Sequence, residues 1–463
     1  MDTIICAYAL NFKMTSPDAY SQKINIVFGI KFVGFGYNSS AEFLLDKLPD
    51  FMSSAAKNIL YLVFVQGIIY LSPLLTLPYL TRTLEIEQFA AMSFAQVFVQ
   101  YFVLVTDYGF GITATRLIAL ATGDFKNISE IVSNTLAVKL LLACLMGVVC
   151  VVLVWLIPSL HTSIWLIAAT FIGVYGNALF PTWLFQGIER MRDLALITGL
   201  SRLLVLPPIF FFVHTPEDVV LAGALLNAPG VLAALMSFIL LRQQKVFEWV
   251  PVSWARMLDM LREGWHVFIS NIFISLYTVV NLTLLKFLGT PEQVAFFAAS
   301  DKIRFAIQGF IQPIASALFP RFSAMGRNHQ SEEFVKLNRL GWIALVGTQI
   351  VGAFVVFFGA DFVAKYYFGA AFEGISIYLK AFALLPVVIA VATVFAQWRL
   401  LALGEGAALS RIYMVAGPVH IVYAIIATSY WGWGGLLASV YLTEIMITLA
   451  MYFILRKKRI RIF

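Results

Sequence analysis

Charge is what this chain most lacks. Only 12% of its 463 residues are charged against 61% hydrophobic, and the mean hydropathy is +0.87. A soluble domain has to cover its surface with polar groups, so this composition excludes one and marks a polytopic membrane protein. Cysteine is scarce too. Cys6, Cys144 and Cys150 are the whole set, two of them inside one apolar run, which argues against a disulfide framework and a zinc site. The five histidines, His161, His214, His266, His329 and His420, show no metal-ligand spacing. No metal, cofactor or catalytic residue is expected. A net charge of +7 would suggest nucleic acid in a soluble protein, but these bases fall between apolar runs, so topology explains them and no nucleic-acid partner is expected.

Long apolar runs are what the chain has in abundance. A bilayer core of ~30 Å takes about 20 helical residues. A window of that length finds twelve runs, at 58–81, 88–110, 131–157, 163–185, 194–213 and 218–241, then 264–288, 293–318, 339–359, 375–401, 407–430 and 434–455. With the first run starting in the cytoplasm, the segments predicted inside hold 20 Lys and Arg, while the outer loops hold only Arg82 and Lys365. That bias places both ends of the helical body in the cytoplasm.

The expected organisation follows from these runs. Residues 1–51 do not fit, because "INIVFGIKFVGFGY" (Ile24–Tyr37) is too short to span and carries Lys31, and "MSSAAKNILYL" from Met52 reads as a fresh membrane-protein start. They are expected to be an N-terminal extension, from a misassigned start or a disordered arm. Then come a first lobe of six helices at 52–241, a cytoplasmic amphipathic linker at 242–263, a second lobe of six at 264–455, and a basic cytoplasmic tail at 456–463. The linker helix is expected on the membrane face, with Trp254, Met257, Leu258 and Leu261 on its apolar side. Faint similarity between Leu80–Ala95 and Leu284–Ala299 suits a duplicated transporter.

A charge deep in the bilayer costs at least ~2.5–3.5 kcal/mol and usually faces an interior cavity. The deep candidates are Lys139, Arg202, Asp301, Lys302, Arg304, Lys380 and Glu444, with Asp107 nearer an inner end. In "SDKIRFAIQGFIQP" (Ser300–Pro313), Asp301, Arg304, Gln308 and Gln312 join Lys302 in what reads as one polar stripe, and a cationic stripe attracts an anion. Alternatively, Asp301 pairs with a base and locks helices, although one carboxylate cannot neutralise both. Lys139 and Arg202 lie about two turns from an end, where they either snorkel or face a cavity. Glu444 suits a coupling proton or sodium ion, or equally a bond between helices. Amides such as Gln66, Gln96, Asn134, Asn177 and Asn281 are singly interhelical glue, but together favour a wet cavity fit for sugars. In "SPLLTLPYLTR", Pro73 and Pro78 stand inside a span and Arg82 closes it against the positive-inside bias, which marks a gate or a substrate contact.

Four stretches, "NILYLVFVQGIIYLSPLLTLPYLTRTL", "QYFVLVTDYGFGITATR", "PTWLFQGIERM" and "AASDKIRFAIQGFIQPIASALFPRFS", resemble the Wzx-type polysaccharide flippases of the multidrug/oligosaccharidyl-lipid/polysaccharide flippase (MOP) superfamily. The resemblance runs from about Met52 to the C-terminus. It implies an all-α integral membrane fold, twelve transmembrane helices in two six-helix lobes around a central cavity. It also implies export of an undecaprenyl-diphosphate-linked oligosaccharide across a bacterial inner membrane, with membrane lipids, a polysaccharide polymerase and a chain-length regulator as further partners. Carried over by position, Arg82 closes the first motif, Asp107 opens "DYGF", Trp183, Gln186 and Glu189 belong to the third, and Lys302 is the basic position of the fourth. One departure is that Glu85 and Ala90 stand at the two places where members continue "TRxLG" and end the turn with glycine. A lipid II flippase or a drug/cation antiporter of the same superfamily is the alternative, the latter favouring acidic cavity residues.

Overall fold

The computed structural model describes residues 54–309, 311–325 and 332–458. The expected extension at 1–51 and the tail residues 459–463 lie outside them. All regular structure among the described residues is helical. The first half holds α1 (Ser54–Thr83), α2 (Glu85–Asp107), α3 (Phe110–Leu120), α4 (Phe125–Leu156), α5 (Ile164–Leu179), a short α6 (Thr182–Gly187), α7 (Met191–Phe212) and α8 (Val219–Gln243). The second holds α9 (Trp254–Thr278), α10 (Val280–Leu288), α11 (Pro291–Gln308), α12 (Ile311–Met325), α13 (Glu332–Phe362), α14 (Ile375–Phe382), α15 (Leu385–Thr393) and α16 (Gly406–Lys457). Two π-helical stretches, Val363–Phe368 and Val394–Leu401, interrupt the second half.

The helices sit where the apolar runs placed them, because only helices satisfy every backbone group inside lipid. Eight helices among the described residues are long and apolar enough to cross a membrane, or nine if α9 and α10, bent by 42°, form one span. That is fewer than the twelve apolar runs, and α16 shows one reason. Its 52 residues would measure about 78 Å if straight, more than twice the bilayer core, but Gly432 at φ 55 and ψ −137 breaks it between the expected runs at 407–430 and 434–455. The outer surface is apolar, with Trp155, Trp165 and Phe358 among its exposed side chains.

The linker differs from expectation. No separate amphipathic helix lies between the halves; α9 begins at Trp254 and runs unbroken to Thr278. Met257, Met260 and Gly264 are buried against protein while Trp254 and Leu258 are exposed, so only part of the apolar face of "WARMLDML" is covered, and the helix continues straight into the apolar run that follows. Only 244–253 connects the halves. Its backbone is tied to α4, where the N–H groups of Glu248, Val250 and Ser253 donate to Ser129 Oγ (3.0 Å), Ser133 Oγ (3.2 Å) and Asn134 Oδ1 (2.9 Å). Asn134, one of the amides read as cavity-forming, instead anchors this connection.

The halves meet mainly through α2 and α1 against α11. At one end they also meet through "DYGF". Tyr108 (φ 45) and Gly109 (φ 88) turn the chain from α2 into α3, and the Tyr108 ring stacks on Phe268 with centroids 4.3 Å apart. A Cβ at Gly109 would lie 2.6 Å from Val267 Cγ1, so this turn needs glycine for both its conformation and the close approach.

Candidate functional site

A cavity of about 110 Å³ lies between α1, α2, α7, α8 and α11. Its apolar wall includes Leu77, Leu80, Phe89 and Met92, and its polar groups are Ser72, Thr76, Gln96, Arg202 and Lys302. Lys302 Nζ donates to Gln96 Oε1 at 3.1 Å across the junction of the halves. Among the described residues, neither Lys302 nor Arg202 forms an ion pair with a carboxylate. Two cations facing one small cavity without a carboxylate form an anion-binding arrangement, since charge held in a poorly solvated place gains most from an opposite charge.

The eighth-run stripe splits in two. Residues 302 and 304 are about 200° apart around a helix, so Lys302 faces the cavity while Arg304 faces elsewhere. Arg304 Nε lies 2.6 Å from Asp301 Oδ1, its Nη1 donates to Gln308, and its guanidinium covers the Phe305 ring at 4.2 Å. Gln308 closes α11 while Gln312 stands in α12, so the two amides do not continue one helical face. Asp301 thus neutralises Arg304 and leaves Lys302 as the stripe's contribution to the cavity, opposite Arg202.

The other candidates disperse. Lys139 is fully buried and pairs with Asp107 at 3.1 Å, joining α4 to the end of α2. Lys380 pairs with Asp361 at 2.8 Å; Asp361 is the penultimate residue of α13 and Lys380 the sixth of the span Ile375–Leu401, so the pair lies toward helix ends. Glu444 is half-buried in the second arm of α16, within electrostatic reach of Arg304 and apart from the cavity. In the third motif, Trp183 is fully buried, Gln186 Oε1 accepts from Thr115 at 3.4 Å, and a Cβ at Gly187 would meet Ile118 at 2.6 Å, so these residues pack α6 on α3.

Arg82 closes one end of the interface between the halves. α1 passes through both prolines unbroken. Pro78 has no N–H to offer the carbonyl of Leu74, and that carbonyl accepts from the Tyr367 hydroxyl of the second half. Thr81 Oγ1 has two acceptors in reach, the Pro78 carbonyl of its own helix at 3.2 Å and the Phe368 carbonyl at 3.4 Å. Arg82 Nη2 donates to the carbonyls of Tyr366 at 2.6 Å and Tyr367 at 3.3 Å. All three carbonyls on the second half lie in the last turn of the π-helical stretch Val363–Phe368, where carbonyls have no following helical N–H to accept from. Nothing in the local pattern of "VAKYYFG" announces that turn, so sequence reading missed Tyr366 and Tyr367.

Residues 55–326 match a family described as polysaccharide biosynthesis proteins. The chain belongs to that family. Two curated relatives carry the name "Putative O-antigen transporter". One, from Shigella dysenteriae, is 35% identical over 396 residues, covering 85% of this chain and 98% of the relative. The other, from Escherichia coli K12, is 30% identical over 410 residues, covering 88% and 98%. Among solved structures, an inward-facing multidrug MATE transporter of the MOP superfamily matches with TM-score 0.62 at 19% identity over 90% of this chain and 97% of that one. The lipid II flippase MurJ, inward closed, matches with TM-score 0.64 at 11% identity over 86% of each. At such identities these two establish the fold alone. The chain is a Wzx-type membrane flippase of the MOP superfamily, a transporter and not an enzyme.

Proposed function

We propose that this flippase moves an undecaprenyl-diphosphate-linked oligosaccharide, an O-antigen or related repeat unit, across the bacterial inner membrane by alternating access. The observation that carries this reading is the cavity at the junction of the halves, with Lys302 and Arg202 facing it and no carboxylate paired to either. A diphosphate is the charged part of such a substrate and the part most costly to bring into the bilayer. Two bases offset that cost, and Gln96, Ser72 and Thr76 supply hydrogen bonds for phosphate or sugar oxygens. A drug cation would be repelled by the same pair, which counts against antiport of cations; a lipid II-type substrate shares the diphosphate and is separated from this one by its sugars.

The Arg82 end is the periplasmic one in this reading, as the distribution of bases requires. Its closure against the π-helical carbonyls then belongs to the state loaded from the cytoplasm. An ion gradient drives the return through the second half, where Glu444 is the better placed carboxylate, since Asp107 is held by Lys139. The test is surface display of O-antigen in a strain lacking its own flippase. Lys302→Ala and Arg202→Ala, each present in the membrane at the native level, are expected to lose display at least tenfold. Native display by both variants would refute the cationic cavity as the substrate site.

A further inference from the structure

His420 is fully buried in the first arm of α16, and nothing in the transport reading above makes use of it. Both ring nitrogens are held: Nδ1 lies 2.6 Å from Thr443 Oγ1 on the second arm, and Nε2 lies 2.9 Å from Asn281 Oδ1 on α10. The Asn281 amide is oriented by its Nδ2–H, which donates to the Tyr277 carbonyl at 2.9 Å. Its Oδ1 is therefore an acceptor, and Nε2 carries a hydrogen. Nδ1 differs. The Thr443 hydroxyl has two acceptors in reach, Nδ1 and the Ser439 carbonyl at 2.8 Å, and it also bonds the Tyr423 hydroxyl, which is able to donate to it.

Two arrangements follow without moving a heavy atom. With the Thr443 hydrogen on Nδ1, the imidazole is neutral. With that hydrogen turned to Ser439, Nδ1 carries a second proton and donates to the Thr443 oxygen, whose two lone pairs then serve Tyr423 and His420. Every donor has an acceptor in both. A histidine that only joined helices would need one arrangement; this one is provided for two.

We infer that His420 is a proton-binding site of the flippase, taking up a proton on Nδ1 in one stage of transport and giving it back in another. The inference rests on the reading of the chain as ion-coupled, and it names the ion. Uptake places the proton on the Nδ1 lone pair and gives an imidazolium; the Thr443 hydroxyl hydrogen turns to Ser439, and release reverses both movements. Other groups around the ring are Tyr277 on α9, with centroids 6.5 Å apart, and Tyr423, at 5.4 Å, with Tyr413 further along the same arm. Glu444 follows Thr443 on the second arm and faces Arg304 of α11, itself paired with Asp301. The triad ties α10 to both arms of α16 on either side of the Gly432 break, so a charge added there acts on three segments that have to move together.

The test uses the full chain with His161, His214, His266 and His329 replaced by glutamine, which leaves His420 as its single histidine. The protein is labelled with 15N-histidine, placed in lipid nanodiscs without substrate and titrated between about pH 5 and 8, where histidine changes charge. The ring is expected to pass from the neutral pattern with hydrogen on Nε2 to the imidazolium pattern. Thr443→Val, which removes the hydroxyl but keeps the shape, is expected to lower the midpoint by about one pH unit, a tenfold loss of proton affinity. A ring that stays neutral across the range, or a midpoint unmoved in Thr443→Val, would overturn the proton site. Neither result touches the translocation reading, which stands or falls on display by the Lys302 and Arg202 variants.

Discussion

Replacing Arg82 by alanine removes a charged contact that holds the halves together at its end. Of its two hydrogen bonds, only that to Tyr366 at 2.6 Å is short; that to Tyr367 at 3.3 Å is marginal. A bond from a charged donor contributes about 1.5–3 kcal/mol. Arg82 is exposed, so the low end applies, about 1.5 kcal/mol. The contact exists only while the halves are closed here, so the whole loss falls on the closed state and the ratio of closed to open drops about tenfold. Spin labels at Glu87→Cys and Lys365→Cys, one on each half, read the population directly once Cys6, Cys144 and Cys150 are replaced. The long-distance fraction is expected to rise about tenfold in Arg82→Ala and by less in Arg82→Lys. Pro78→Ala probes the same closure from the other side: it gives α1 an N–H that competes with Tyr367 for the Leu74 carbonyl, and it should also favour opening. Unchanged distances in both Arg82→Ala and Pro78→Ala would show that apolar packing alone closes this end.

Asp107→Asn should lower thermal stability by about 3–5 kcal/mol because it strands the fully buried Lys139, whereas Lys139→Met should cost less, since Asp107 is 39% exposed and can be solvated. The double variant should recover most of the loss, as measured by melting in detergent. Glu85 sits at φ 57, in the left-handed region that costs a residue with a Cβ about 1 kcal/mol. Glu85→Gly should therefore be neutral or slightly stabilising, and the β-branched Glu85→Val clearly destabilising, in the same melts. Gly109→Ala should destabilise by at least about 1–2 kcal/mol, since it adds left-handed strain to a 2.6 Å clash with Val267.

The spans were legible because the bilayer fixes both their length and their composition, leaving little for tertiary context to override. The sites were not, for reasons visible at single residues. Reading Lys302 and Arg304 as one stripe overlooked that positions two apart face opposite ways; the rotation sends one base to a cavity and the other to the nearby Asp301. Lys380 sat inside an apolar run, but its partner Asp361 belongs to another helix, and only the packing shows that the pair lies at an end. Arg202 stood out as a deep base, but the choice between snorkelling and facing a cavity was not local, since its neighbour in the cavity is a hundred residues further along the chain.

The proline motif marks the boundary between the two kinds of information. Pro78 can be read from the sequence as a missing donor, and the missing donor fixes which acceptor is freed, the carbonyl of Leu74. Which group fills it cannot be read, because Tyr367 lies 293 residues away on a turn with no local signature. A lipid-facing carbonyl left open would be costly, so a second proline in a span demands a partner from elsewhere in the fold. Here that partner is on the opposite half, and the freed acceptor is therefore satisfied only while the halves are closed. The same two prolines that leave α1 short of its own hydrogen bonds make its outer end depend on the state of the whole molecule, as a gate requires.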